Sequence, residues 1–283
     1  MPYLLSLWLL TGPLWGFFGH QMINRYAIYL LPPEMVVFFK PNADYLAAHA
    51  VDPDKRRYLL AEEGPRHYID LDRYGPPPWA DLPRSWNLAV EKFTADTLQK
   101  HGIVPWWVQT MQRRLIKAFR EKDKPRILKV AAELGHYIAD AHVPLHASSN
   151  HNGQFTGQKG IHGLWESRIP ELLAEKSWDF WIGKAEYLPD PGAFIWDRVM
   201  ESGWAADTVL RLERELTRSF PGNEKYAFEE RNGVLVRQYA ASFTLAYDQQ
   251  MKGMVERRMR AAIFAVASFW YTAWVDAGMP VIA

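Results

Sequence analysis

The 283-residue sequence contains no cysteine. Disulfide bonds, thiolate metal ligands and cysteine nucleophiles are therefore all excluded, while the redox compartment stays undecided. An excess of charge of one sign is also missing, because 33 Lys and Arg residues face 32 Asp and Glu residues and leave a formal net charge of +1. Attraction of the whole chain to nucleic acid or to an anionic membrane is therefore not expected.

Long hydrophobic runs are missing as well. The apolar stretches at residues 1–14 and 261–275 are both shorter than the ~20 residues that a membrane-spanning helix needs. Residues 1–14 carry no charge and resemble the hydrophobic part of a secretory signal. We therefore expect a secretory leader there, a mature domain over residues 15–283, and a secreted or periplasmic protein. Residues 261–275 predict a buried final helix.

Alternating apolar and polar residues are too scarce to predict a pair of β-strands. Helical periodicity instead continues almost without a break after residue 85, and the apolar content of 48% is that of a folded protein. The sequence therefore predicts a single all-α, multi-helix domain. The predicted helices in this part are Trp86–His101, Pro105–Lys122, Pro125–His142, Leu164–Lys176, Ala193–Phe220, Leu235–Gln250 and Met251–Ala277.

Proline, glycine and charged residues concentrate in residues 62–85 and predict a long loop there. Loops of this length in compact domains are usually functional or disordered. The aromatic residues and His67 inside the segment favour a functional loop. Before it, the sequence predicts helices over residues 20–31 and 42–50.

Residues 126–166 contain the clearest functional pattern. His136 and Asp140 are four residues apart within a predicted helix, so both project from the same face, one turn from each other. Pro144 ends this helix, because a proline disfavours helical geometry in the residue before it. His146 then lies on the turn by which the chain leaves the helix.

A second pair with the same spacing follows sixteen residues after His146, where His162 and Glu166 open another predicted helix. Imidazoles and carboxylates in this arrangement are typical zinc ligands. With 9 His and 32 acidic residues, roughly one such pair is expected by chance. Either pair alone is therefore weak evidence, and the hypothesis depends on further candidate ligands elsewhere.

Those further candidates occur in a known order. The order of the candidates, and the local sequences WGFFGH, HYIADAHVPLH and GIHGLWE, resemble the zinc-dependent phospholipase C and single-strand-specific nuclease superfamily. The similarity covers the chain from residue 15 to residue 166. In chain order the candidate ligands are Trp15, His20, Asp52, His67, His136, Asp140, His146, His162 and Glu166.

The resemblance implies an all-helical fold with a trinuclear zinc site. The ligands of the first ion would be Asp52, His67, His136 and Asp140. Those of the second would be His146, His162 and Glu166. The third ion would be held by His20, by Asp140 as a bridging carboxylate, and by the amino nitrogen and carbonyl oxygen of Trp15. This last interaction requires Trp15 to be the mature N-terminus.

Two acidic residues compete for one position in this set. Asp54 is an alternative to Asp52, and we prefer Asp52 because its separation from His67 suits the family. Asp52 and Asp140 are the candidates to orient the attacking water or to accept its proton, and the sequence leaves both roles open.

The remaining histidines and the cleft receive weaker predictions. His142 is not a ligand in relatives, and we expect it to support the ligands from behind. Tyr68 and Asp70 resemble residues that line the substrate cleft, where Tyr68 could stack on a base, contact a lipid headgroup, or simply belong to the core. Three histidines are expected to be unrelated to metal: His49, His101 and His151.

Different parts of the motif favour different substrates. WGFFGH and DAHVPLH resemble the nuclease branch, whereas the short His146–His162 loop and Glu166 resemble the phospholipases. The near-neutral charge argues weakly against a long nucleic acid, and the 13 tryptophans suit stacked bases or acyl chains equally. We therefore predict a zinc-dependent phosphodiesterase, and we favour phospholipase C slightly over a single-strand-specific nuclease or 3′-nucleotidase.

A secreted binding protein stabilised by zinc is the alternative from another functional class. A structural zinc site is normally closed by four protein ligands. His146, His162 and Glu166 supply only three, which disfavours this alternative.

Overall fold

The computed structural model describes residues 16–231 and 233–282. Within them the chain forms α-helices joined by short 3₁₀ turns and one β-hairpin. The helices are α1 (Phe17–Ala27), α2 (Pro33–Phe39), α3 (Ala43–Ala48), α4 (Asp52–Arg56), α5 (Trp86–Phe93), α6 (Ala95–His101), α7 (Val104–Glu121), α8 (Lys124–Ala141), α9 (Ile161–Gly163), α10 (Ile169–Ser177), α11 (Pro191–Ser219), α12 (Ala241–Met251) and α13 (Met254–Asp276). The all-α prediction is confirmed.

Helix α8 lies at the centre of the domain. Its residues from 130 to 141 are all buried, because most of this stretch is small or apolar, on all sides of the helix, and is therefore suited to burial on every side. Helices α1, α7 and α13 pack around it. The indole Nε1 of Trp270 on α13 donates to the carbonyl oxygen of Ala131 at 3.0 Å.

Close packing of α1 on α8 depends on Gly135. A Cβ at this position would lie 2.0 Å from Oδ1 of Asn24. The buried amide of Asn24 donates to the carbonyl oxygens of Leu46 at 3.1 Å and Ala132 at 3.0 Å. One side chain thus joins α1, α3 and α8, which are three of the elements next to the candidate site.

The structure contradicts the expectation that no pair of β-strands forms. Strands β1 (Tyr226–Arg231) and β2 (Val234–Tyr239) form an antiparallel hairpin, with Tyr226 opposite Tyr239. The predicted helix from Leu235 was therefore wrong over its first six residues, and α12 begins at Ala241. The Asn-Gly pair at 232–233 is a strong hairpin signal in the sequence, and Gly233 has the positive φ of 76° that such turns use.

The predicted helix Trp86–His101 is divided into α5 and α6 at Thr94, whose φ is 69°. The hydroxyl of Thr94 accepts from the backbone N–H of Thr97 at 3.4 Å and so caps α6. The predicted loop over residues 62–85 is confirmed, since it contains only 3₁₀ turns at Gly64–His67 and Leu71–Arg73. Among the described residues, no helix has the length and hydrophobicity to cross a membrane.

Candidate metal centre

Three groups of histidines and carboxylates meet beside α8. Helix α8 contributes His136 and Asp140 to this region, as their four-residue spacing predicts. The other residues come from α1, α4, α9, the turn Gly64–His67, the turn Pro144–Ala147, and the π-helical stretch Leu164–Arg168 that joins α9 to α10. All of the candidates in these groups are buried.

The first group consists of Asp54, His67 and His136. Oδ1 of Asp54 lies 3.8 Å from Nδ1 of His67 and 3.8 Å from Nε2 of His136. These two ring nitrogens are 3.0 Å apart. Oδ2 of Asp140 adds a further oxygen, 2.9 Å from Nδ1 of His67 and 3.2 Å from Nε2 of His136.

The second group consists of His146, His162 and Glu166. The two Nε2 atoms face each other at 3.1 Å. Oε2 of Glu166 lies 2.9 Å from Nε2 of His162 and 3.5 Å from Nε2 of His146. This group is the one that the second motif predicts from its spacing.

The third group consists of His20, His136 and Asp140. Nε2 of His20 lies 3.5 Å from Oδ1 of Asp140, and the rings of His20 and His136 stack with centroids 3.9 Å apart. Oδ1 of Asp140 is also 3.8 Å from Nδ1 of His146. The carboxylate of Asp140 therefore contacts all three groups. Trp15, the remaining predicted ligand, lies outside the described residues.

The preference for Asp52 over Asp54 is corrected. Oδ2 of Asp52 lies 2.5 Å from Nδ1 of His49 and Oδ1 lies 3.3 Å from Nζ of Lys55, in a partly exposed ion pair. Asp54 instead has a side chain only 5% exposed and faces His67 and His136. Residues two positions apart on a helix, such as Asp52 and Asp54, point about 200° apart, so only one of them can face the site.

Backbone contacts orient three of the imidazoles. Nδ1 of His136 donates to the carbonyl oxygen of Ala50 at 2.8 Å, and Nδ1 of His162 donates to that of His151 at 2.9 Å. Nδ1 of His146 likewise donates to the carbonyl oxygen of His67 at 2.6 Å. Each neutral ring then directs an Nε2 lone pair into its group, as a metal ligand does.

These contacts test whether cations fit the groups. Nε2 of His146 and Nε2 of His162 are both acceptors when the rings are neutral, and yet they face each other. Both oxygens of Asp54 and Oδ1 of Asp140 are buried and accept no hydrogen bond. Buried acceptors in such positions are normally satisfied, and a cation between them would satisfy several at once. The donor set therefore fits zinc.

The electrostatics of the first and third groups point the same way. Burial raises the pKa of Asp54 to about 6 and that of Asp140 to about 8. Burial also lowers the pKa values of His20 and His67 far below the ordinary range. Neutral imidazoles and carboxylates without a partner charge are what a bound dication would stabilise.

The sequence profile of the S1/P1 nuclease family matches residues 15–262. The chain belongs to this family. Comparison with individually curated proteins gives no significant match. Since S1/P1 nucleases are zinc-dependent phosphodiesterases, membership makes the chain a zinc-dependent phosphodiester hydrolase. The resemblance to the wider superfamily is confirmed. Its nuclease branch fits better than the phospholipase C that the motif spacing slightly favoured.

The residues predicted for the cleft lie next to His67 in this S1/P1 domain. Tyr68 is half-buried and its hydroxyl donates to the carbonyl oxygen of Lys100 at 3.3 Å. Asp70 is also half-buried, with Oδ2 3.4 Å from Nδ1 of His101. Burial raises the pKa of Asp70. His101 is thus paired with Asp70, a predicted cleft residue, and is not part of a metal group.

The other three histidines lie outside the metal groups. His49 pairs with Asp52, and the backbone oxygen of His151 accepts from His162. Nδ1 of His142 donates to the carbonyl oxygen of Ile138 at 2.7 Å. Its expected supporting role for the ligands stays a prediction.

Sequence reasoning missed a polar network behind the first group. Arg56 donates to Glu133 on α8 at 2.7 Å, to Glu63 at 3.3 Å and to the hydroxyl of Tyr137 at 3.3 Å. Tyr137 also donates to the fully buried Glu63. Arg56 follows Asp54 by two residues, so the network ties α4, the helix that carries Asp54, to α8. No local pattern marks these residues.

Proposed function

We propose that this protein is a single-strand-specific nuclease, with 3′-nucleotidase activity, that uses three zinc ions. The observation that carries the proposal is the contact of one carboxylate, Asp140, with three histidine and carboxylate groups in a chain that matches the S1/P1 nucleases. Closely spaced dications suit a phosphodiester, because they contact both the attacking and the leaving oxygen.

In this proposal each group holds one ion. The first ion would be held by Asp54, His67, His136 and Asp140, and the second by His146, His162 and Glu166. The third would be held by His20, Asp140 and the N-terminal Trp15. The backbone N–H of Gly16 donates to Oγ of Ser167 at 3.0 Å. This contact supports the third assignment, because it brings the chain just after Trp15 to the residue that follows Glu166.

Zinc in these sites would lower the pKa of a water molecule and offset charge that develops on the phosphoryl oxygens. The chain's own contribution is orientation. Asp140 is fixed between three groups, and Asp54 takes the place that was predicted for Asp52. These two carboxylates are the candidates to orient the attacking water or to accept its proton.

We also propose that Tyr68 and Asp70 line the cleft for the base of the substrate. Tyr68 follows His67 directly and Asp70 is three residues after it, so a nucleotide beside the first group would reach them. The aromatic ring of Tyr68 suits stacking, which tolerates any base. The near-neutral net charge favours short single strands, because affinity for long strands rests on neutralising many phosphates.

The function is tested on protein that begins at Trp15 and is loaded with zinc. Three substrates are compared: single-stranded DNA, duplex DNA of the same sequence, and phosphatidylcholine. We expect cleavage of the single strand, loss of this activity in chelator, and recovery on adding zinc. Hydrolysis of phosphatidylcholine with the DNA left intact would contradict the nuclease assignment.

Elemental analysis of the same preparation measures the metal content. We expect close to three zinc ions per chain, and a content of one or fewer after mild purification in added zinc would contradict a trinuclear site. Export to the periplasm or the medium also remains our proposal, because the predicted leader at residues 1–14 lies outside the described residues. Detection of the mature N-terminus by mass spectrometry of exported protein tests it.

A further inference from the structure

A cavity of about 660 Å³ opens between the start of α5 and the first turns of α7. Its lining contains none of the candidate zinc ligands. The volume is in the range of ~300–1,000 Å³ that is typical of small-molecule sites. We propose that this cavity binds one nucleotide unit of a single-stranded nucleic acid outside the catalytic cleft. The proposal rests on the nuclease function and adds a second contact for the same strand.

Aromatic residues form one wall of the cavity. Trp86, the first residue of α5, is half-buried and packs in a T-shaped contact with Trp106, with ring centroids 5.4 Å apart. Trp106 is held in turn, because its Nε1 donates to the carbonyl oxygen of Arg84 at 2.8 Å and its ring packs against Trp196 at 5.0 Å. The indole of Trp86 is therefore fixed in orientation, as a platform for stacking a base must be.

The charge of the lining selects an anion. Arg84 and Arg113 both line the cavity, and no Asp or Glu is among the lining residues. Arg84 forms an ion pair with the exposed Asp197 at 3.1 Å. Arg113 is exposed and donates to the hydroxyl of Thr110 at 3.0 Å, a neutral partner that leaves its charge available. A guanidinium beside an indole matches a phosphate joined to a base.

Polar groups distinguish this cavity from an apolar groove. Asn87, Gln99 and Gln109 contribute amides to the lining, which can donate to or accept from the edges of any base. The first turn of α5 carries no acidic residue and its N-cap, Ser85, makes no side-chain capping bond. The positive end of this helix therefore adds to the attraction that the two arginines exert.

One backbone segment separates the cavity from the cleft. Ile103 lines the cavity, and its N–H donates to the carbonyl oxygen of Pro65 at 2.7 Å. The next residue, Val104, donates to the carbonyl oxygen of Tyr68 at 3.1 Å. The backbone at Gly102 packs so closely on Tyr68 that a Cβ on Gly102 would lie 2.2 Å from the carbonyl oxygen of Tyr68. A strand seated on Tyr68 therefore needs to cross only this segment to reach the cavity.

The test measures equilibrium binding to zinc-loaded protein by fluorescence anisotropy. The probe is a labelled phosphorothioate single strand of about ten nucleotides, within the site sizes of known single-strand binders. We compare Trp86→Leu, Arg113→Gln and a charge-matched control, Arg211→Gln, whose arginine pairs with Glu215 on the exposed face of α11.

Trp86→Leu should weaken binding about tenfold at every salt concentration, since it removes one stacked base. Arg113→Gln should weaken binding and reduce the slope of log affinity against log salt by about 0.7, the value for one phosphate contact on a single strand. Arg211→Gln should leave both affinity and slope unchanged. Wild-type affinity in Trp86→Leu, or equal slopes in the two arginine variants, would overturn the inference.

The cavity proposal and the nuclease proposal are tested by separate measurements. Cleavage of unmodified DNA by wild-type protein decides the catalytic function, whereas the binding series decides the cavity. If the protein cleaves single-stranded DNA and the three variants bind the probe like wild type, the cavity proposal fails alone. If Trp86→Leu and Arg113→Gln lose affinity as expected while wild-type protein leaves DNA intact, the nuclease proposal fails alone.

Discussion

Replacing Asp54 by asparagine should change how the zinc-free protein responds to pH. Both carboxylate oxygens of Asp54 are buried and accept no hydrogen bond. Burial raises the pKa of this carboxyl to about 6, with His136 opposing and Asp140 reinforcing the effect. Without zinc, ionisation of Asp54 therefore destabilises the fold. With zinc, the same charge stabilises the bound cation.

The sign follows from proton linkage. A carboxyl whose pKa rises from 3.8 in the unfolded chain to about 6 in the fold holds its proton more tightly when folded, so the free energy of unfolding falls as the pH rises through this window. At about 1.4 kcal/mol for each pH unit, the loss approaches roughly 3 kcal/mol. Asp54→Asn removes this contribution, while that of Asp140 remains. The variant's profile should therefore be flatter by up to about this amount.

The assay is urea unfolding in chelator between pH ~3 and pH ~7, followed by zinc analysis at neutral pH. This interval includes the unfolded pKa of 3.8 and the folded pKa of about 6. Asp52→Asn is the matched control. Burial opposes ionisation of Asp52, but its hydrogen bonds to His49 and Lys55 outweigh burial and lower the pKa. We expect Asp54→Asn to lose zinc and Asp52→Asn to keep it. Parallel pH profiles for Asp54→Asn and wild type, or zinc loss only in Asp52→Asn, would refute this reasoning.

Three further perturbations test other parts of the structure. Asp140→Asn should reduce zinc content and melting temperature more than His162→Ala, because Asp140 contacts all three groups and zinc binding stabilises the fold; equal zinc counts in the two variants would argue against a shared carboxylate. A chain that begins at Trp15 should hydrolyse a phosphodiester faster than one that begins at Met1, because an α-amino group with a pKa near ~8 can bind zinc and an amide nitrogen cannot; equal rates would exclude the amine as a ligand. Gly135→Ala should lower the free energy of unfolding by about 1–3 kcal/mol through overpacking, since its Cβ would lie 2.0 Å from Oδ1 of Asn24. Gly222→Ala is the control, because a Cβ there would have nothing within 4 Å. A urea midpoint unchanged in both variants would contradict the packing of α1 on α8.

Local patterns were sufficient for much of the site. His136 and Asp140, like His162 and Glu166, are brought together by helical geometry within five residues, so their spacing alone predicted the contact. The end of α8 before Pro144 is equally local. The family order of the ligands extended the prediction to His20 and His67, which the structure places in the groups.

At two other places, helical periodicity outweighed a local signal for a different structure. The apolar residues after Leu235 suggested a helix, although the Asn-Gly pair at 232–233 indicates a hairpin, and the strands β1 and β2 form there. The helical pattern from Trp86 to His101 likewise concealed a break at Thr94. The apolar periodicity continues across this residue, but its positive φ of 69° interrupts the helix.

The sequence by itself determined the helical class, the two ligand pairs and the family. Only the tertiary structure chose between Asp52 and Asp54, because the packing of α4 on α8, where Arg56 donates to Glu133, 77 residues away, decides which carboxylate faces His67. It alone also brought Asp140 into contact with His67 across 73 residues and enclosed a cavity between α5 and α7. Spacing along a chain fixes the geometry of neighbours within a helix, whereas contacts between helices depend on how their buried faces pack.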